Sequence, residues 1–389
     1  MQLARRTAVV ASLAFALSGC GSSVGTAPSS STPISTPSGG PVAVASPRAS
    51  RPSLQPSPRL HGVFTTIADP PGVTGPAEVS LPDGRVLVTD TDTGEAEIYD
   101  PFVGRFSRTG WMVSRRIDGA TITALTDGRV LVAGGRDDHF RVVSLAEVYD
   151  PATGKFTPTG SMLTPRCDHT ATLLSNGRVL ITGGNDASGN SVASAELYDP
   201  KSGKFLRTGS MRMARAEQTA TLLADGRVLV VGGFRGESML ASAELYDPAS
   251  GKFSQTGSMK APRWSHAAVR LEDGRVLVVG GNNNDDTNDN PNWAELFDPK
   301  DGKFTQSGPV VVVRFYPTLA LLPDGRVLVA GGSDPNGGPL YTSAELFDPA
   351  TGGFSATDSM LRPYPAQGAA VLQDGSVLLI GNPTEIYWP

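Results

Sequence analysis

Residues 219–255 read TATLLADGRVLVVGGFRGESMLASAELYDPASGKFSQ. Four short apolar runs stand in this stretch: Thr219–Leu223, Arg227–Val231, Ala243–Tyr246 and Lys252–Gln255. Asp225-Gly226 separates the first two, and a two-residue hairpin turn needs the positive φ that such a pair accepts. Asp247-Pro248 followed by Gly251 makes another tight turn between the last two. The run Val228-Leu229-Val230-Val231 does not alternate with polar residues, which fits a strand covered on both faces. The stretch therefore predicts a four-stranded antiparallel sheet packed between two neighbours.

The same unit recurs along the chain. Its Asp/Asn-Gly pair returns at Asp83, Asp127, Asn176, Asp225, Asp273, Asp324 and Asp374, a period of 44 to 51 residues. The aromatic of its A-E element returns at Tyr99, Tyr149, Tyr198, Tyr246, Phe297, Phe347 and Tyr387, and the phenylalanine of its G-x-F element at Phe64, Phe106, Phe156, Phe205, Phe253, Phe304 and Phe354. Both series have seven members, but they are out of phase: Phe64 precedes the first tyrosine, and only Trp388 and Pro389 follow the last. A linear array does not begin with the last quarter of a unit and end without one. A closed ring does, and closure removes exposed sheet edges. The expected fold is all-β, a seven-bladed β-propeller whose last blade takes its outer strand from Val63–Ile67.

Gly-Gly doublets follow the second run at Gly134-Gly135, Gly183-Gly184, Gly232-Gly233, Gly280-Gly281 and Gly331-Gly332. With the unit length, they make the chain resemble the kelch-repeat propeller family over about 325 residues. The first unit departs with Asp90-Thr91 and the last with Gly381-Asn382.

Residues 1–60 hold five arginines and no Asp or Glu, so the rest carries all 38 acidic side chains and only 28 of the 33 basic ones. A region near −10 with Lys and Arg scattered singly argues against a nucleic-acid partner. The N-terminus reads as a targeting segment. Arg5 and Arg6 precede an apolar stretch, Ala8 to Leu17, too short to span a bilayer, and Leu17-Ser18-Gly19-Cys20 resembles a bacterial lipoprotein cleavage site. The resemblance implies a signal peptide over 1–19, lipidation of Cys20 and export to the outer surface of a membrane, by either the general or the twin-arginine route. Residues 20–60, rich in Ser, Pro, Ala and Gly, are expected to form a disordered tether, with the propeller at 61–389. With Cys20 lipidated, Cys167 has no intramolecular disulfide partner.

The units serve as each other's control: a residue present in all of them is scaffold, and one that breaks the pattern marks a site. The glutamates Glu97, Glu147, Glu196, Glu244, Glu295, Glu345 and Glu385 recur seven times and are expected to make structural polar pairs. In an antiparallel meander, the connections between second and third strands share one face with those between blades. That face varies, from the single residue Pro383 to the dozen of Asn282–Trp293, and rigid scaffolds usually carry function on such loops. The inter-blade connections bring Arg116, Arg166, Arg215, Arg263 and Arg314 there, with Thr74 and Tyr364 in the equivalent places of the other two units. These arginines either brace loops or present guanidinium groups to a ligand. Three residues on come Gly119, His169, Gln218, His266, Pro317 and Gln367. The candidate binding residues are these five arginines with Asp168, His169, Glu217, Trp264, His266 and Tyr316, and with Phe315 as neighbour; Trp264 suits stacking on a sugar or an aromatic side chain.

Within kelch-like propellers the chain is distantly similar to galactose oxidase, which holds copper with two Tyr and two His. Tyr316 matches a tyrosine of that family, but Pro317 stands in place of a metal-binding His and Glu217 in place of the second Tyr. No copper, and no other cofactor, is expected. The loop Asn282–Asp289 is rich in oxygen donors, yet Asp289 falls where a calcium loop needs Gly. Cys167 has only His169 nearby as a base, so no thiol chemistry is expected. The expectation is a monomeric, lipid-anchored binding protein for a protein or glycan partner. Its rival is a carbohydrate-active enzyme, epimerase- or lyase-like, with Glu217 and Arg215 at the same mouth.

Overall fold

The computed structural model describes residues 62–67, 76–90, 93–116, 118–282, 292–335, 338–363, 368–381 and 383–389. The signal, Cys20, the tether, His61, Thr74, Tyr364, Gln367 and most of the Asn282–Asp289 loop lie outside them.

Seven four-stranded antiparallel sheets follow one another along the chain, and no helix occurs among the described residues. Six sheets are sequential meanders, such as Thr170–Leu173, Val179–Thr182, Ala195–Asp199 and Lys204–Arg207 in the third blade. The innermost strands of adjacent blades pack against each other, and that of the first blade, Pro76–Ser80, packs on that of the last, Ala369–Val371. The molecule is a seven-bladed propeller.

The phase offset is resolved as the sequence predicts. Val63–Thr66 pairs antiparallel with Glu385–Trp388, in the register Val63↔Trp388, Phe64↔Tyr387, Thr65↔Ile386 and Thr66↔Glu385. Ile67 lies beyond the strand, but its N–H still donates to Thr384 O at 3.0 Å. Phe64 and Tyr387 sit with ring centroids 4.9 Å apart, the same contact that Phe106 makes with Tyr99 and Phe253 with Tyr246. The recurring aromatics are thus one outer-strand/third-strand pair per blade. Blades are also tied edge to edge: the tyrosine hydroxyl of one meets a threonine of its neighbour, as in Thr208 Oγ1 to Tyr246 OH at 2.8 Å.

Packing between blades is largely apolar. Leu223, Leu229 and Val231 of the fourth blade close on Val276, Val278 and Phe297 of the fifth, all buried. The Gly-Gly doublets lie where a connection crosses the end of the second strand. A Cβ at Gly134 would stand 2.4 Å from Arg166 O, so only glycine fits. One element was not foreseen: Phe234–Arg235 and Ser238–Met239 form a small hairpin in the fourth blade's variable loop.

The Asp-Gly-Arg arginines and the recurring glutamates do not pair with each other. Arg227 folds back on Asp225 at 2.7 Å on the constant face. Six of the seven glutamates instead receive the inter-blade connections, and among the described residues Glu97 alone does not. Glu196 accepts the N–H groups of Leu163 at 2.7 Å and Thr164 at 3.0 Å together with Arg166 Nη2 at 2.8 Å. The same pairing joins Arg116 to Glu147, Arg215 to Glu244, Arg263 to Glu295 and Arg314 to Glu345, at 2.9 to 3.2 Å.

Candidate functional site

Each inter-blade connection ends in a short constant frame just before the innermost strand. In the third blade this is Arg166-Cys167-Asp168-His169, and in the fourth to sixth blades it begins at Arg215, Arg263 and Arg314. The structure sorts these positions by direction.

The five arginines point into the wall and not into the mouth. Arg116, Arg166, Arg215 and Arg263 are 0% exposed and Arg314 1%, each held by its glutamate. Arg166 Nη1 also donates to Gly183 O at 2.8 Å and Ser194 O at 3.0 Å. As ligand-facing groups they are therefore corrected: they brace loops, because planar guanidinium forks satisfy carbonyls and a carboxylate that would otherwise be buried unpaired. His169 and His266 are corrected likewise. Both are buried, and their Nε2 atoms bond Thr121 Oγ1 at 3.1 Å and Thr219 Oγ1 at 3.0 Å. Burial, with Arg166 or Arg263 close by, pushes each imidazole down to about 3, so both rings are neutral.

The residue after Cys167, and its equivalents, turn the other way. Asp168, Glu217, Ser265 and Tyr316 all have left-handed φ, 50 to 56°, and Gly119 takes the same place in the second blade at 66°. The register corrects the spacing read from the sequence: the second blade's connection is one residue longer, so Gly119 aligns with Asp168 and not with His169. A left-handed backbone is costly for Glu and Tyr and collects at functional sites. These residues form a rim around the axis: Asp168 N donates to Gly119 O at 3.0 Å, Glu217 N to Asp168 O at 3.1 Å, and Tyr316 N to Ser265 O at 3.1 Å. The side chains of Glu217, Ser265 and Tyr316 meet. Ser265 Oγ donates to Glu217 Oε2 in a short hydrogen bond, and Tyr316 OH reaches the same oxygen at 3.4 Å. Arg136 bridges two further carboxylates, with Nη1 2.6 Å from Asp118 Oδ2 and Nη2 3.0 Å from Asp168 Oδ2. Asn185 Nδ2 donates to that same Asp168 oxygen at 3.2 Å. Trp264 packs edge-on against Phe315 at 4.8 Å and Phe234 at 5.6 Å, and lies 6.4 Å from Tyr316.

Burial, reinforced by the charge of Asp168, raises the Glu217 carboxyl to about 7. It can thus hold or release a proton near neutrality. Burial and Glu217 push the Tyr316 phenol up, and burial and Asp168 do the same to the Cys167 thiol, so both stay protonated. Of the sequence candidates, then, the structure brings together Asp168, Glu217, Trp264 and Tyr316. It adds Asp118, Arg136, Asn185, Phe234 and Ser265, which sequence reasoning missed. A signal for three of these existed: the residue after each Gly-Gly doublet breaks the repeat as Arg136, Asn185, Phe234, Asn282 and Ser333.

A kelch motif model matches residues 165–212 and 218–260, the third and fourth blades. No curated protein matches the chain. Among solved structures, a fungal alcohol oxidase described as catalytically diverse within the AA5 family and in complex with copper aligns at 18% identity with a TM-score of 0.61, over 85% of this chain and 76% of that one. At that identity the likeness is one of fold. Copper does not fit the donors at this mouth: Pro317 is buried beside Tyr316, His169 and His266 are enclosed in the wall, and among the described residues no imidazole joins Asp168, Glu217 and Tyr316. The chain is a seven-bladed β-propeller with kelch motifs in its third and fourth blades, an architecture that serves in general as a binding and interaction scaffold.

Proposed function

We propose that this chain is an exported, lipid-anchored binding protein that recognises a protein or glycan partner at the channel mouth on its variable face. One observation carries the reading: the residues that break the sevenfold repeat converge there as carboxyl groups beside aromatic rings, while recurring charged groups are consumed in bracing. Loops held on a rigid ring are suited to recognition because little ordering accompanies binding. The test is a pull-down from envelope extract, comparing wild type with Glu217→Gln/Trp264→Ala/Tyr316→Phe. Selective loss of one partner is expected, and equal recovery of every partner overturns the assignment of this mouth. The anchor is tested separately by labelling with radioactive palmitate, which Cys20→Ser should abolish.

A second reading rests on Glu217 alone. A carboxyl held near 7 beside a tyrosine hydroxyl has the protonation state of a general acid in sugar chemistry. Turnover of a saccharide that Glu217→Gln abolishes, with folding intact, would establish this enzyme reading in place of binding.

A further inference from the structure

Among the described residues, one carboxylate oxygen at this site, Asp168 Oδ1, meets no donor. Arg136 divides its two Nη atoms between Asp118 and Asp168. Asp168 concentrates its partners on one oxygen: Arg136, Asn185 and the Cys167 thiol all meet Oδ2. Its Oδ1 is enclosed and has no hydrogen-bond partner, although the side chain is only 3% exposed. That oxygen faces bare Gly119, where an added Cβ would come within 2.7 Å. An enclosed carboxylate oxygen without a donor is costly, and this one lies on the rim of the proposed binding site.

The third carboxyl is held in the same field. Glu217 takes hydroxyl donors from Ser265 and Tyr316 on Oε2, and faces Asp168 and, farther off, Asp118. The only cation hydrogen-bonded to Asp168 among the described residues is Arg136. Around these groups stand the rings of Trp264, Phe315 and Tyr316, whose faces attract an organic cation.

Resting on the reading of this mouth as a binding site, we infer that its ligand presents a primary ammonium group, seated by Asp168 and Glu217 beneath the aromatic rim. An ammonium carries three donors and no acceptor, which suits Asp168 Oδ1, Glu217 and the Tyr316 hydroxyl oxygen. A neutral polyol supplies donors but no positive charge for Asp168 and Glu217. A hard metal ion demands six or more oxygen ligands and few aromatic neighbours. The source of the ammonium is an amino sugar or a lysine side chain.

Because the Glu217 carboxyl sits near 7 when the mouth is empty, an arriving cation displaces its proton. Affinity should therefore rise with pH up to about 7, by at most about tenfold per unit. The full chain is titrated calorimetrically with glucosamine, N-acetylglucosamine, Nα-acetyllysine amide and the Nε-acetylated form of the last. Both free amines are expected to bind at least about tenfold more tightly than their acetylated forms, as loss of a charged hydrogen bond implies. The stronger of the two amines identifies the source. The pH series uses the lysine derivative, which stays charged throughout. Asp168→Asn should weaken amine binding about tenfold or more, and Glu217→Gln should weaken it at pH 7 and above while removing its pH dependence. Acetylated probes binding as well as amines, no binding of either amine, or amine binding unaltered in Asp168→Asn overturns the inference. The acetylation comparison needs wild type alone, so a variant that misfolds does not shield the idea. If mouth variants lose the envelope partner but amines do not bind, the binding reading stands and the ammonium falls; if the variants lose no partner, both fall.

Discussion

A guanidinium at 0% exposure is tolerated only when its charge is met, and Arg215 shows how this chain does it, with both Nη atoms bonded and only Nε left without a partner. Nη2 bonds Glu244 Oε1 at 3.2 Å and Ser242 Oγ at 3.1 Å, while Nη1 bonds Gly232 O at 2.8 Å and Ser242 O at 2.9 Å. Arg215→Ala would leave Glu244 buried with only the N–H groups of Arg212 and Met213 at 2.7 and 3.1 Å. We expect a loss of about 3–5 kcal/mol in denaturant unfolding. Arg215→Lys should recover little of it, because an ammonium cannot reproduce the planar fork. If Arg215→Ala instead kept full stability while losing the ligand, the bracing role would be wrong. Recurrence in the sequence located these arginines but could not give their direction, since wall and mouth positions alternate within a few residues. Asp168, Glu217, Trp264 and Tyr316 were legible because they differ from blade to blade. Arg136 and Asn185 were equally irregular, but they follow the glycine doublets and meet the rim only through pairing such as Asn185 N to Cys167 O at 2.8 Å.

At the scale of the element, the closing strand contributes more than its four residues suggest. Phe64 is buried against Tyr387, and Trp388 Nε1 donates to Thr65 Oγ1 at 2.9 Å. Thr357 Oγ1 contacts Tyr387 OH at 3.0 Å and donates to Gly62 O at 3.3 Å, tying the sixth blade to the closure. Phe64→Ala should cost about 3–5 kcal/mol, like other large core truncations, and should lower the thermal midpoint of the whole ring. Removing residues through Ile67 leaves Glu385–Trp388 as an open edge, for which light scattering should report self-association. A truncated chain that stays monomeric with an unchanged midpoint would show that closure does not depend on this strand. The strand was readable because the two aromatic series are out of phase and the constant-face turns are marked by Asp-Gly, Asn-Gly or Asp-Pro. The hairpin Phe234–Arg235/Ser238–Met239 was not, since Phe-Arg-Gly-Glu-Ser-Met has neither length nor alternation to distinguish a two-residue strand from a loop.

At the scale of the whole ring, the packing between innermost strands repeats except at the junction of the last and first blades. In six innermost strands, one position facing the preceding blade is apolar: Ile122, Ala171, Ala220, Ala268, Leu319 and Ala369, each paired across to the second strand. In the first blade that position is Glu78, paired with Val88, which pairs in turn with Glu97. Both glutamates are buried, and none of their four oxygens has a hydrogen-bond partner. The last blade makes room for this with Gly368, where a Cβ would stand 1.3 Å from Glu78 Oε1. Burial pushes Glu78 up to about 7, and the N–H groups of Glu78 and Gly368 oppose that shift without closing a hydrogen bond. Glu97 is raised to about 7 as well, by burial, with exposed Arg108 4.0 Å away pulling it down and Glu95 pushing it up. Both groups ionise more readily in the unfolded chain, at their ordinary 4.5, so between pH 4.5 and 7 the folded state holds more protons. Stability is therefore greatest below about 4.5, as far as these two groups decide it, and declines as pH rises to about 7, then levels off. For Glu78 the span is at most about 3 kcal/mol. Glu78→Gln should flatten the pH profile of the melting temperature and raise it at pH 8. Gly368→Ala should destabilise wild type but be tolerated beside Glu78→Ala, because the smaller residue vacates the space. A wild-type profile that rises from pH 5 to 8, with Glu78→Gln unchanged from it, would mean that this junction does not carry the strain assigned to it.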